Sequence, residues 1–190
     1  MTDLRIQKSN RALLDTSFQV LLTNPHASLS EVAKQAGVGR ATLYRHFPTR
    51  EHLITAIAIE SLQLVKNSID PIVAKGLQEE AALHNMVMAL LPLADRFHFL
   101  QMIWTVVEFD QKVLSLYENQ MDAIKCWIIQ GQKQGIINSD LAPDWIVSVI
   151  DSMLYSAAWL LANKTMEPTE IEQHLVQTLS KGIQSNKIES

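Results

Sequence analysis

Ser28-Leu29-Ser30-Glu31-Val32-Ala33-Lys34-Gln35-Ala36-Gly37-Val38-Gly39-Arg40-Ala41-Thr42-Leu43-Tyr44-Arg45-His46-Phe47-Pro48-Thr49-Arg50-Glu51-His52-Leu53 is the stretch on which the fold turns. Ser28 and Glu31 have the spacing of a capping box, each side chain reaching the other's backbone amide, so a helix begins there. It is expected to run to Ala36, where Gly37 supplies the left-handed residue that closes a helix and Val38 follows as an apolar plug. A second short helix covers Gly39 to Phe47. Leu43 and Phe47 lie one turn apart on its buried side, and Arg40, Thr42, Arg45 and His46 take other faces. Pro48 stops it, and Thr49 is a good N-cap for a longer helix that continues through Leu53, Ile54, Ile57 and Leu62.

The pattern extends outward in both directions. Upstream, Leu14, Phe18, Leu21 and Leu22 form the buried stripe of a first helix, ended by Asn24-Pro25 because the residue before proline disfavours the helical conformation. Downstream of Asp70-Pro71, helices are expected near residues 78–91, 93–107, 110–134, 143–163 and 168–184. Gly135 fits a helix end, Pro143 and Pro168 fit first-turn positions, and Glu170 places a carboxylate near a positive helix terminus. Apolar residues follow helical spacing and no hairpin turn is flanked by strand-like runs, so the chain reads as all-α. The expected division is a helix-turn-helix domain over residues 1–52 and a helical effector-binding and dimerisation domain over 53–190.

Two short helices joined by a glycine-containing turn, the second bearing exposed Arg and Thr, match a DNA-binding helix-turn-helix. In a major groove an arginine donates two hydrogen bonds to guanine and a threonine methyl meets a thymine methyl. The expected contacts to double-stranded DNA are Arg40, Ala41, Thr42, Tyr44, Arg45, His46 and Arg50, with Arg50 at a helix start that already favours an anion. The Ala-Gly-Val turn, the Leu-Tyr-x-His-Phe core and the Arg-Glu-x-Leu opening of the next helix resemble the tetracycline-repressor (TetR) family of bacterial regulators. The resemblance is close over about residues 8–60 and beyond that rests on length, helix order and the turn from Gly135-Ile136-Ile137 to Pro143. It implies a homodimer whose last two helices build a four-helix bundle, a ligand cavity between the domains, and ligand-driven release of DNA. It also implies phosphate contacts from Tyr44 and His46. Gly39 departs from the more usual Ser or Thr and leaves the recognition helix without a side-chain cap. His52 departs from the usual acidic residue and leaves the second capping box incomplete.

The charge distribution agrees with a nucleic-acid module on an acidic body. The 190 residues carry a net charge of −4, but residues 1–52 hold seven cations against four anions, a net of +3, and the remainder sums to −7. With 47% hydrophobic residues and only 6 Gly and 6 Pro, the composition describes a packed, helical chain. The single cysteine, Cys126, sits among Ile124, Trp127, Ile128 and Ile129 and is expected as an inert buried thiol. One cysteine and an N-terminus without an apolar signal stretch suit the cytoplasm. Trp145 to Ala162 approaches the length that spans a bilayer, yet Ser148, Asp151, Ser152 and Ser156 line one helical face, which favours an interface helix over a membrane span.

An apolar small-molecule effector is expected in a cavity walled by Met86, Phe97, Met102, Trp104, Phe109, Tyr117, Met121 and Met153. Glu108, Asp122 and Asp151 are expected at the surface or in structural hydrogen bonds; buried, any of them would balance a cationic ligand. The dimer interface is expected on Trp145, Val149, Trp159, Ile171, Leu175 and Leu179, because one recognition helix covers too few base pairs for specificity. His84, His98 and His174 lack ligand spacing, so no metal is expected, and no cofactor or catalytic motif is present. The function this supports is a ligand-responsive repressor acting on a palindromic operator. The alternative is a helical protein-interaction module that keeps the fold without specific DNA binding.

Overall fold

A computed structural model of the chain describes residues 2–75 and 81–183. Among them lie α1 (Thr2–Thr23), α2 (Leu29–Gln35), α3 (Arg40–His46), α4 (Arg50–Lys75), α5 (Ala81–Leu90), α6 (Ala94–Val107), α7 (Gln111–Lys133), α8 (Pro143–Ala162) and α9 (Pro168–Ile183), with a 3-10 turn at Leu91–Leu93. The fold is all-α, an N-terminal helix-turn-helix followed by a helical C-terminal part. The start of the helix expected over 78–91 and the last residue of the helix expected over 168–184 fall outside the described residues.

Each boundary has a local cause. Glu31 N–H donates to Ser28 Oγ at 3.3 Å and Ser28 N–H to Glu31 Oε2 at 2.7 Å, which is the capping box at the start of α2. The Ser28 backbone amide, and after it the Ser28 hydroxyl, hold the Glu31 carboxyl below its ordinary pKa. Gly37 closes the helix at φ +65°, with Gly37 N–H on Lys34 O at 3.3 Å and Val38 N–H on Ala33 O at 3.0 Å. Those two bonds are a Schellman ending, and the left-handed residue between them is what glycine is needed for. Gly135, at φ +72°, ends α7 in the same manner with Ile136 N–H on Gly131 O at 3.0 Å. Pro143 and Pro168 open α8 and α9, and Glu170 Oε2 accepts from the Glu167 amide at 3.3 Å.

One proline lies inside its helix. Asp70-Pro71 does not end α4, which carries Pro71 inside it to Lys75. Pro71 is solvent-exposed, so the backbone bond it removes leaves a carbonyl that water can satisfy, and the cost of an interior proline is reduced accordingly.

The chain packs as two compact units. One runs up to Ser61 and includes Phe99–Leu114; the other comprises Leu62–His98 and the chain from Ser115 onward. In the first, Phe18, Leu21, Val32, Ala33, Leu43, Leu53, Ile54 and Ile57 are buried, and the Phe18 ring meets Phe99 edge-on at a centroid distance of 5.3 Å. Leu14 and Leu22, expected in the buried stripe of α1, are only partly covered; Leu13, Ser17 and Val20 take the fully buried positions beside Phe18 and Leu21. The stripe is rotated by one residue because α1 packs on more than one neighbour, and periodicity marks a face without fixing its centre.

In the second unit Val65, Ile69, Met86, Val87, Leu90, Ile124, Trp127, Ile128, Ile146, Ile150 and Leu154 share one core with Ile171, Leu175, Leu179 and Ile183 of α9. Cys126 is exposed and not a buried thiol, since Ile124, Trp127 and Ile128 already take the inward positions of α7 and residue 126 projects elsewhere. Gln132 Nε2 donates to Asn138 O at 2.9 Å and Leu141 O at 2.7 Å, and Asn138 N–H donates to Ile183 O at 2.8 Å, so the α7–α8 loop is pinned at both ends.

Replacing Gly37 by alanine forces a Cβ into left-handed backbone, and the expected loss of stability is about 1–2 kcal/mol. Ser28→Ala removes the cap and is expected to cost about 1 kcal/mol. Thermal unfolding followed by circular dichroism checks both, and an unchanged midpoint for Gly37→Ala contradicts the assigned turn.

Candidate functional site

The recognition candidate is built on α3, a helix of seven residues with one fully buried side chain, Leu43. Helical geometry then ranks the others. Ala41 and Arg45 lie most directly opposite Leu43, Thr42 and Tyr44 flank that outward line, and Arg40 and His46 sit nearer the protein body. Arg40, Ala41, Arg45 and His46 are exposed, Tyr44 is 44% exposed and Thr42 is partly covered. Neither Arg40 nor Arg45 forms an ion pair among the described residues, and no acidic residue occupies the first turn of α3. Gly39 caps the helix at φ −64° and ψ 139° with no side-chain bond, so the cap region leaves the helix start sterically open.

Arg50, expected to contact phosphate, also bonds within the chain: its Nε donates to Ala27 O at 3.1 Å and its Nη2 to Pro25 O, tying the start of α4 beneath the α1–α2 turn. Two backbone carbonyls left without helical partners by the Pro25 turn explain why a charged fork is needed there. Thr49 does cap α4, with His52 N–H on Thr49 Oγ1 at 3.4 Å, and the His52 Nδ1 lies 2.9 Å from the same hydroxyl, taking up the place of the missing acidic residue. Glu51 also uses Thr49, and that hydrogen bond lowers its pKa. Arg11 Nε sits 3.9 Å from Glu60 Oε1, a tie between α1 and α4 at low energy because Arg11 is exposed.

The second unit carries a cleft of about 410 Å³ between α7 and α8. Tyr117, Met121, Asp122 and Lys125 line it from α7, and Asp144, Val147, Ser148, Asp151 and Ser152 from α8. Lys125 Nζ lies 2.6 Å from Asp144 Oδ1, and that bond raises the lysine pKa. Asp151 also borders a smaller apolar pocket with Phe97, Met121, Ile124, Val147 and Leu154. Burial pushes the Asp151 carboxyl above its ordinary pKa, and burial followed by the charge of Asp151 pushes Tyr117 up as well. Asp151 was expected at the surface or in a structural hydrogen bond, but it is partly buried and no hydrogen bond or ion pair to it is formed among the described residues.

Of the residues expected to wall a cavity, Phe97, Tyr117 and Met121 line these two pockets. Met86 is fully enclosed in the second unit's core, and Met153 packs against that core. Met102 and Trp104 are partly buried on α6 and line neither pocket, and Phe109, 87% exposed in the turn after α6, is no cavity wall. Of the expected dimer residues, Trp145 and Trp159 are 62% and 47% exposed and Val149 is partly exposed. Ile171, Leu175 and Leu179 are instead buried in their own chain's core, because α9 turns its single apolar stripe onto α5 and α8. Two stretches, His84–Val107 and Pro143–Ala162, are long and apolar enough to cross a membrane. No group of His, Cys, Asp or Glu among the described residues has the arrangement of a metal site.

A capped short helix, a glycine turn and a second helix held by one buried leucine define a helix-turn-helix protein of the three-helix type. Residues 14–57 match the sequence profile of the bacterial regulatory proteins of the tetR family. The HTH-type transcriptional repressor LfrR of Mycolicibacterium smegmatis is 34% identical over 87 residues, a stretch covering 46% of this chain and 46% of that repressor, so the match spans less than half of that relative. The crystal structure of LfrR from Mycobacterium smegmatis in complex with proflavine has the same fold, with a TM-score of 0.76 at 23% identity over 94% of this chain and 98% of that one. A regulator from Saccharomonospora viridis in complex with choline matches at a TM-score of 0.69 and 20% identity, covering 95% of this chain and 100% of that chain. The ketosteroid regulator KstR2 of Mycobacterium tuberculosis matches at 0.75 and 15%, covering 92% and 94%. The family consists of regulators rather than enzymes.

An uncompensated carboxylate has a stability signature. A raised folded-state pKa means the native chain holds a proton more tightly than the unfolded one, so stability falls as pH rises from the unfolded to the folded pKa of Asp151. Asp151→Asn is therefore expected to raise the melting temperature at pH 7, with the gain vanishing as the pH drops below the ordinary aspartate pKa. A variant that is less stable at pH 7 would contradict the unpaired carboxylate.

Proposed function

We propose that the protein is a DNA-binding transcriptional regulator, a repressor that holds a palindromic operator as a homodimer and lets it go when a small molecule binds its C-terminal helices. The observation that carries this reading is the outward face of α3. Ala41 and Arg45 with Thr42 and Tyr44 at their sides present a methyl group, a fork of donors and two hydroxyls on a helix narrow enough to enter a major groove. Arg45 reads a guanine, Thr42 and Ala41 meet thymine methyls, and Tyr44, Arg40 and His46, towards the flanks, bind phosphates. Arg50 contributes by fixing the angle between α4 and the α1–α2 turn rather than by touching DNA.

Dimerisation is assigned to the exposed side of α8. Trp145, Val149 and Trp159 repeat along one face with the small residues Ser152 and Ser156 between them, the composition of a helix that packs closely on another helix. A second copy supplies the second recognition helix that a two-fold operator needs. Ligand responsiveness is supported by the cleft between α7 and α8 and by the neighbours solved with proflavine and with choline. A DNA-bound regulator of this kind works in the cytoplasm.

Selection of bound fragments from random DNA is expected to return an inverted repeat, with affinity falling steeply as salt rises. Arg45→Ala should cost about 1–3 kcal/mol at one base position of each half-site and leave the others unchanged. No enriched sequence, or binding indifferent to salt, overturns the reading. Trp145→Asp combined with Trp159→Asp is expected to give a monomer by light scattering and to abolish operator binding while the chain stays helical. A double variant that remains a dimer places the interface elsewhere.

A further inference from the structure

We infer that α8 pairs antiparallel with α8 of a second copy about a two-fold axis at Ser152, so that Trp145 of each chain packs on the partner's Trp159. The inference deepens the dimer reading above by giving the pairing its axis, register and direction, and it rests on that reading for the existence of the dimer. It depends neither on DNA nor on what the cleft between α7 and α8 holds.

The outward stripe of α8 is a palindrome. Trp145, Ser148, Ser152, Ser156 and Trp159 are all exposed, and their spacings of three, four, four and three residues read the same from either end. At about 100° per residue all five fall within about 40° of the Ser152 direction. The buried side repeats the symmetry, since Ile146 and Ile150 before Ser152 are answered by Leu154 and Ala158 at equal distances after it. A two-fold contact needs such a surface, because residue i meets residue j and residue j meets residue i. An unrelated partner imposes no palindrome. Two helices that cross are nearest at the crossing point and diverge towards their ends, so the small side chains belong at the centre and the indoles at the ends. Only an axis at Ser152 satisfies both.

The chemistry of the stripe suits burial against a copy of itself. Ser156 Oγ donates to Ser152 O at 3.0 Å, so its proton already has an acceptor before a partner covers it. At the axis the two Ser152 hydroxyls can donate and accept across the contact. The stripe holds no ionisable residue, although the chain beyond residue 52 sums to −7, so two acidic copies meet on it with least repulsion. Charge then selects the direction. Asp140 and Lys164 lie twelve residues to either side of Ser152, both exposed and without an ion pair among the described residues. Antiparallel pairing brings each Asp140 towards the partner's Lys164 and opposes the helix dipoles, whereas parallel pairing sets like on like. The four indoles, 62% and 47% exposed in each chain, supply much of the contact. They bring on the order of 500 Å² towards the roughly 1,200 Å² at which stable interfaces begin.

Single cysteines in the full-length protein test the register, on a Cys126→Ser background that removes the exposed native thiol. Ser152→Cys is expected to form an intermolecular disulfide on mild oxidation, seen as a doubled mass that a reductant reverses, because only a position on the axis meets itself at disulfide distance. Positions 148 and 156 lie about 12 Å from their own copies along antiparallel helices. Neither Ser148→Cys nor Ser156→Cys alone is therefore expected to cross-link with a short dimaleimide, whereas the two co-expressed give a product holding one chain of each. Ser148→Cys linking to itself, no mixed product, or a dimer by light scattering in which Ser152→Cys yields no disulfide overturns the proposal. A chain that stays monomeric at high concentration overturns it together with the regulator reading. Operator selection separates the two readings otherwise. The Ser152→Cys disulfide without any enriched DNA sequence upholds the pairing and counts against the regulator. An operator-binding dimer that lacks the disulfide does the reverse.

Discussion

A seven-residue helix has too few internal hydrogen bonds to persist in water, so α3 exists only because its neighbours hold it. One side chain, Leu43, does the anchoring. Burying it fixes the helix about its own axis and thereby decides which residues face outward, since every other position follows from the helical repeat. The Schellman ending at Gly37 sets where α3 can begin, and the Arg50 guanidinium on the Pro25 and Ala27 carbonyls sets where α4 departs. The exposed face is thus the by-product of three constraints on the buried one. Loss of Leu43 would remove the face together with the helix, whereas loss of Arg45 would change the face and leave the helix in place.

The parts of this architecture legible in the sequence are those with local causes. Ser28 and Glu31 are three residues apart, Gly37 follows its helix directly, and Pro143 and Pro168 mark their own helix starts, so each signal lies within a turn of its effect. Arg50 illustrates the opposite case. Its partners are 23 and 25 residues away, and a positive charge at a helix start resembles an anion site until the carbonyls beside it are placed. Pro71 shows a related limit, because whether a proline ends a helix depends on whether the freed carbonyl is solvated.

Apolar periodicity shows a similar limit. It marks Ile171, Leu175 and Leu179 as one stripe and Trp145, Val149 and Trp159 as another, without saying what covers either. The structure separates them: the α9 stripe closes the core of its own chain, and the α8 stripe is left outside. Cys126 fell on the wrong side of the same ambiguity, since apolar neighbours in sequence are not neighbours on a helical surface. Asp122 and Asp151 were visible as carboxylates on the helices that form the cleft, but only burial distinguishes a screened charge from one that lacks a partner.

Charge is divided unevenly along the chain: the first 52 residues carry a net of +3, which favours a polyanion, and the remaining residues carry −7, which repels one. Within the acidic part α8 has three distinct sides. Ile146, Ile150 and Leu154 enter the core, Val147 and Asp151 line the cleft, and Trp145 and Trp159 stay exposed with Val149 partly covered between them. A ligand alters a second site only when it binds two states of the protein unequally. With its core side packed, α8 has little freedom to bend or turn about its axis, so its three sides keep a fixed relation to one another.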